Sequence, residues 1–221
     1  MADYTATLTR VEDYFDKSAT KVWERLTSDA PVSRIRQTVR EGRDKMRALM
    51  LSRLPTDLHG VRVLDAGCGA GQMTAELAAR GADVVAVDIS PALVAIAQAR
   101  LPQSAAHRVT FASGDMTADH GRFDYVVAMD SLIYYGTKDI TAALHRLGAR
   151  TDQAVVFTVA PKTAFLMAFW TLGKAFPRAD RSPIMVPHAY ATLNRATGDR
   201  VAKIDRVSGG FYISECLEYR P

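Results

Sequence analysis

The stretch Val63-Leu-Asp65-Ala-Gly67-Cys68-Gly69-Ala-Gly71 decides how the rest of the chain is read. A short apolar run ends in a carboxylate and enters a turn with glycine at every second position. Gln72 to Arg80 then reads as a helix closed by Gly81. Glycines in such a strand-to-helix turn let the backbone approach a bound group closely and adopt conformations closed to side chains. A dinucleotide fingerprint places its third glycine three residues after the second. Gln72 holds that place here, and the third glycine comes one residue early.

From Val61 onward, short β-branched runs alternate with helix-like segments, the pattern of βαβ units around a parallel sheet. Strands are expected at 61–65, 83–88, 108–112, 123–129 and 154–159. Ser90 followed by Pro91 supplies an N-cap and a first-turn proline for a helix through Leu101, and 140–149 reads as another helix. Ser208-Gly-Gly210 sits between apolar runs at 201–207 and 211–219, so the chain should close on an antiparallel hairpin. The expectation is an α/β, Rossmann-like doubly wound sheet carrying a helical cap. The cap is residues 1–58, with helices at 11–26 and 34–51, the second placing Ile35, Val39, Met46 and Leu49 at spacings of four, seven and three. The core is 59–221, with an apolar lid insertion at about 160–188.

Composition bounds the function. With 48% apolar and 24% charged residues in 221, one domain can bury a core without staples, and its two cysteines lie far apart, as expected of a reducing, cytoplasmic protein. The early residues lack the basic start and apolar core of a secretory signal, and no stretch reaches the roughly 18 apolar residues of a membrane span. The net charge is +4, but seven Arg or Lys against two acids fall between Arg34 and Arg53. Such a stripe is either a solvated helix face or a surface for an anionic substrate, partner or lipid headgroup. The five histidines have no metal-ligand spacing, so no protein-held metal is expected.

Carboxylates mark the other strand ends. Asp88, 23 residues beyond Asp65, closes the second strand, where an ionised carboxylate can accept both hydroxyls of a ribose. Gly114-Asp115-Met116 follows the third. The turn with its preceding acid resembles motif I of class I methyltransferases, in which the loop wraps the methionine and ribose portions of S-adenosylmethionine. That resemblance implies that Asp65, Gly67, Cys68, Gly69, Asp88, Ile89 and Met129 surround this cofactor. It also implies that Asp115 accepts from the adenine amino group and that Met116 contributes a backbone donor.

The wider pattern is more specific. Val11-Glu-Asp-Tyr14-Phe15-Asp, Ile35-Arg36-Gln-Thr-Val-Arg40-Glu-Gly42-Arg43, Asp130-Ser-Leu-Ile-Tyr134-Tyr135, Ala160-Pro-Lys162-Thr-Ala and Gly210-Phe-Tyr-Ile-Ser-Glu run through the chain. Together they resemble the magnesium-protoporphyrin IX methyltransferases of bacteriochlorophyll synthesis over nearly its whole length, and most of all the purple-bacterial form. The resemblance implies methylation of one porphyrin propionate, with magnesium present only inside the substrate. It makes Tyr14 the cofactor-closing tyrosine and places Tyr134 beside the acceptor, where chlorophyll-making relatives tend to carry a histidine.

A flat apolar disc with two acids on one edge calls for an apolar roof and a few cations. Phe165, Leu166, Phe169 and Trp170 are the roof candidates, or else plain helix core. Arg36, Arg40, Arg43 and Lys162 are the cations, for a propionate or for the methionine carboxylate, or else surface charges. By pathway analogy the porphyrin-carrying subunit of magnesium chelatase is a partner, and the basic stripe allows peripheral membrane contact. Strand four lacks the acid or amide with two prolines and an aromatic that DNA amino-methyltransferases use, which argues against nucleic acid. Two alternatives stay open: an O-methyltransferase for another apolar acid or a quinone-like phenol, and a non-catalytic carrier of cofactor or porphyrin.

Overall fold

A computed structural model of the chain describes residues 4–16, 27, 33–164, 166, 167, 183 and 185–221. Its centre is a seven-stranded sheet, β1 (Arg62–Ala66), β2 (Asp83–Asp88), β3 (Val109–Ser113), β4 (Phe123–Ala128), β5 (Thr151–Val159), β6 (Val201–Gly209) and β7 (Tyr212–Tyr219), in the order β3-β2-β1-β4-β5-β7-β6. The first five strands are parallel, and β7 enters antiparallel between β5 and β6. The order reverses at β1, which has β2 on one side and β4 on the other. A crevice opens outside the carboxyl ends of such strands, and this is where doubly wound sheets bind ligands.

The helices are α1 (Tyr4–Tyr14), α2 (Arg34–Leu51), α3 (Gln72–Ala79), α4 (Pro91–Arg100), α5 (Thr137–Gly148) and α6 (Tyr190–Ala196). Ser90 caps α4 as expected, its hydroxyl accepting from the Leu93 N–H. The central strands bury both faces, and Leu64, Val126, Val155 and Phe157 are almost wholly enclosed. The face of α2 formed by Met46, Met50 and Leu51 joins a second cluster with Val63, Leu77 and Cys216.

Several expectations need correction. α1 begins at Tyr4 rather than Val11, because Tyr4, Leu8, Val11 and Phe15 recur at helical spacing and form its inward stripe. The part of the expected helix beyond residue 16 lies outside the described residues, residue 27 apart. α2 has its expected bounds, yet Ile35 is 54% exposed, since the buried face comes from Gly42, Met46, Met50 and Leu51. α5 starts three residues early at Thr137, β5 starts at Thr151, and α6 had no strong periodic signal in its seven residues.

The expected insertion is described only at its ends, and there its two stems are pinned together. The Lys162 N–H donates to the His188 carbonyl at 2.8 Å, and the His188 N–H donates to that of Ala160 at 2.8 Å.

Candidate active site

The cleft at the reversal point is built mainly from backbone on one side and from side chains on the other. On the first side, the N–H groups of Gly67 and Cys68 both donate to the Val87 carbonyl, at 2.8 and 3.0 Å, which fastens the glycine turn to β2. Gly69 has φ +53°, and its N–H donates to Asp88 Oδ2 at 2.8 Å. A Cβ at Gly69 would meet nothing within 4 Å, so a side chain there would project into open space. The Ser90 N–H donates to Asp88 Oδ1 at 2.9 Å. Each oxygen of this buried carboxylate therefore has one backbone donor and keeps lone-pair capacity for one hydroxyl of a diol. Burial raises its pKa, against the pull of those two N–H groups, and the charge of Asp16 adds to the rise.

Asp65 lies deeper, its Oδ2 accepting from the Thr74 hydroxyl at 2.6 Å. Burial pushes this carboxyl up to about 7, Thr74 opposes that, and the charge of Asp88 adds to it. Cys68, Ile89, Met116 and Met129 complete this wall. Asp115 is flanked by the lining residues Gly114 and Met116 without itself lining the cleft. These residues fit S-adenosylmethionine: a paired acid for the ribose, an open glycine at the turn and apolar surface for the base.

The opposite wall centres on Asp130, at the end of β4 with φ +56°, a left-handed conformation that Asp tolerates better than most residues. Its carboxylate pairs with Arg43 of α2 and accepts from Tyr212 of β7 at 3.1 and 3.2 Å. The Thr158 hydroxyl of β5 donates to it at 3.1 Å. Gly42 makes this meeting of α2 with the hairpin feasible, because any Cβ there would come within 2.6 Å of the Tyr212 side chain. Tyr134 stands next to this cluster. Burial and the Asp130 charge hold its phenol well above the ordinary range, so it is a neutral donor.

Above the cleft, α1 and the turn after it contribute Leu8, Val11 and Phe15. The Phe15 ring packs edge-on to Tyr134, and Tyr14 packs edge-on to Phe15. Below Tyr134, buried His188 contacts the Tyr135 carbonyl through Nε2 at 2.9 Å and the Thr137 hydroxyl through Nδ1 at 3.2 Å. Burial lowers its pKa and keeps it neutral.

Comparison with known proteins follows this geometry closely. Residues 128–221 match the family model described as magnesium-protoporphyrin IX methyltransferase C-terminus, and residues 63–151 match a methyltransferase domain. The magnesium-protoporphyrin O-methyltransferase of Rhodobacter capsulatus is 65% identical over all of this chain and 99% of its own length. The chain belongs to the magnesium-protoporphyrin O-methyltransferase family. A crystal structure of magnesium protoporphyrin IX methyltransferase from Synechocystis PCC 6803 with bound S-adenosylhomocysteine is 29% identical, with a TM-score of 0.81. That likeness covers 96% of this chain and 99% of the other. A second Synechocystis structure, with bound S-adenosylmethionine, covers 97% of each chain at a TM-score of 0.78. The fold is that of class I methyltransferases, which take S-adenosylmethionine as methyl donor.

Against this family background, the expected residues divide. Asp65, Gly67, Cys68, Gly69, Asp88, Ile89, Met116, Met129 and Tyr134 all line the cleft, and so does Arg43. Tyr14, Arg36, Arg40 and Lys162 do not line it; Phe15 takes the inward position expected of Tyr14, while Arg36 and Lys162 are exposed. Phe165, Phe169 and Trp170 lie outside the described residues, and Leu166 is half-buried. The basic stripe is divided too. Arg43 pairs with Asp130, Arg47 with Glu76 at 2.5 Å and Arg53 with Glu218 at 3.0 Å, so these three fasten α2 and the turn that follows it to the rest of the fold. Sequence reasoning missed Tyr4, Phe15, Arg47 and Tyr212 as parts of the site or its support. The helical stripe running through Tyr4 could have revealed the first two.

Proposed function

We propose that the protein transfers the methyl group of S-adenosylmethionine to one propionate carboxylate of magnesium-protoporphyrin IX, giving the monomethyl ester and S-adenosylhomocysteine. One observation carries the reading. The cleft has a cofactor wall with paired acids and an acceptor wall whose half-buried anion is already neutralised, in a chain that follows a named relative from end to end.

S-adenosylmethionine supplies the electrophilic methyl, on a sulfonium that becomes a neutral thioether. Asp88 holds the ribose, Ile89, Asp115, Met116 and Met129 enclose the adenine, and Asp65 with Gly67, Cys68 and Gly69 faces the methionine end. The Arg43 charge compensates Asp130, so an incoming carboxylate meets no bare anion on that wall. A propionate of ordinary pKa, about 4.3, is ionised at neutral pH and needs no general base. The residues then act by alignment and by exclusion of water from the carboxylate. Tyr134 and Phe15, with Tyr14 packed behind Phe15, cover the site, Phe165, Phe169 and Trp170 roof the porphyrin, and Arg36, Arg40 and Lys162 attract its acids. Residues 1–58 serve as the cap and 160–188 as the lid of a core that starts at 59.

The greasy product of a preceding magnesium insertion must be delivered from a carrier or a membrane. The porphyrin-carrying subunit of magnesium chelatase and peripheral contact with a membrane surface belong to the same reading, supported by exposed Arg34, Arg36 and Ile35 on one stretch of α2. Among the described residues no helix is long and apolar enough to cross a membrane.

The test is methyl transfer from tritiated S-adenosylmethionine to magnesium-protoporphyrin, with free protoporphyrin and a catechol alongside. Label should appear in the magnesium porphyrin. Label in the catechol alone would favour a phenol acceptor, although no histidine is among the described residues lining the cleft to serve as its base. Binding of S-adenosylhomocysteine without any transfer would favour a carrier.

A further inference from the structure

The Asp115 carboxylate is not free to point anywhere. Its Oδ1 accepts three hydrogen bonds, from the Tyr4 hydroxyl at 2.7 Å, the Thr117 N–H at 2.8 Å and the Thr117 hydroxyl at 2.9 Å. Among the described residues Oδ2 has no such partner. Tyr4 is itself held from two directions. Its ring stacks on Tyr135 at 5.1 Å, and the Arg146 guanidinium lies over it at 5.3 Å from the centroid. Arg146 also reaches the Thr117 hydroxyl at 3.3 Å, which ties both residues that donate to Oδ1 to α5.

We propose that Tyr4 is a positioning residue for base recognition: by saturating Oδ1 together with Thr117, it leaves Oδ2, between the cleft-lining Gly114 and Met116, as the Asp115 oxygen open to the exocyclic amino group of adenine. The proposal rests on the reading of the cleft as an S-adenosylmethionine site with Asp115 at the base. A carboxylate without this anchor can rotate about its terminal torsion and share its oxygens with solvent, so the same acid discriminates less. Burial raises the Tyr4 phenol far beyond neutral pH, and its hydroxyl remains a donor under all working conditions. The N-terminal helix therefore takes part in choosing the cofactor as well as covering it.

The experiment is calorimetric binding of S-adenosylhomocysteine and of its analogue with unsubstituted purine in place of adenine, which lacks only the amino group. The wild-type protein should prefer the adenine form by about 10- to 100-fold, the range for a hydrogen bond to a charged group. Asp115→Asn should abolish that preference, because the anchored amide oxygen turns its NH2 toward the base. Tyr4→Phe keeps the ring, its stacking and the fold, and should reduce the preference by about fivefold or more while binding of the purine analogue hardly changes. Equal loss of both ligands in Tyr4→Phe, or an undiminished preference, overturns the role of Tyr4. A wild-type protein that binds both ligands alike overturns the placement of Asp115 at the base, and one that binds neither overturns the cofactor site itself.

Discussion

The two walls of the cleft are made in different ways. The cofactor wall is local: a turn after β1, an acid at the end of β2 and a backbone N–H of the turn donating to that acid, 19 residues away. The acceptor wall is assembled from distant parts, since Asp130 meets Arg43 across 87 positions and Tyr212 across 82. Chemistry fixed by backbone geometry tolerates little variation, whereas side chains gathered from a cap helix and a terminal hairpin can change with the acceptor. Damage to one wall should accordingly leave the function of the other intact.

The largest effect is expected at Asp88. On the proposed ribose role, Asp88→Ala removes two hydrogen bonds to hydroxyls, each worth about 1.5–3 kcal/mol at a charged acceptor, and should weaken S-adenosylhomocysteine binding by about 100-fold or more. Porphyrin binding, followed by fluorescence quenching, should change little. Similar loss at both sites would mean that the walls are not separable.

Asp130→Asn probes the other side. Asn accepts the left-handed backbone at this position, so the change is chiefly one of charge. It leaves the Arg43 guanidinium, 16% exposed, without its carboxylate, at a cost of about 3 kcal/mol in stability by chemical denaturation. Turnover of magnesium-protoporphyrin should fall about 30-fold, as roughly 2 kcal/mol of misalignment predicts, with cofactor affinity kept. A matching loss of S-adenosylhomocysteine binding would erase the distinction drawn above.

The same contrast explains what the sequence could reveal. The turn, Asp88 and the Gly114-Asp115-Met116 string stand at strand ends, where a short window holds both the element and its ligand group, and the structure has all of them where strand periodicity put them. Arg43 was visible as one cation among seven, but nothing in a one-dimensional pattern says that Gly42 admits the Tyr212 ring and turns its neighbour toward Asp130. Tyr4 was hidden because Thr5, Thr7 and Thr9 are β-branched and weaken the helical signal before Val11. Phe15 rather than Tyr14 faces the cleft because one residue along a helix is a rotation of about 100°, finer than a motif match resolves.

A smaller effect sharpens the cofactor wall through pH. Asp65 has its carboxyl raised to about 7 by burial and by Asp88, far above its unfolded value. The stability this group contributes is complete below about pH 4 and is lost as pH rises through about 7, where an uncompensated buried anion forms. A cation bound beside it reverses the balance by favouring the ionised form. S-adenosylmethionine should therefore bind about fivefold more tightly at pH 8 than at pH 6, releasing a fraction of a proton, and S-adenosylhomocysteine, without the sulfonium, should gain less. Calorimetry in buffers of different ionisation enthalpy measures both quantities, and a flat profile for both ligands would place the positive charge away from Asp65.

The smallest effect belongs to Tyr134, and its size tests the chemistry of the acceptor wall. Burial and Asp130 keep the phenol protonated throughout the neutral range, so Tyr134 cannot remove a proton from an acceptor, and an ionised carboxylate has none to remove. What the hydroxyl can supply is one donor hydrogen bond and a polar edge on the ring packed against Phe15. Tyr134→Phe retains that packing and should lower kcat by about threefold, within the scale of a single neutral hydrogen bond. Its pH profile should show no new ionisation between pH 6 and 9. A fall of several orders of magnitude, or a lost basic limb in the profile, would make proton transfer part of the reaction and shift the acceptor from a carboxylate to a phenol.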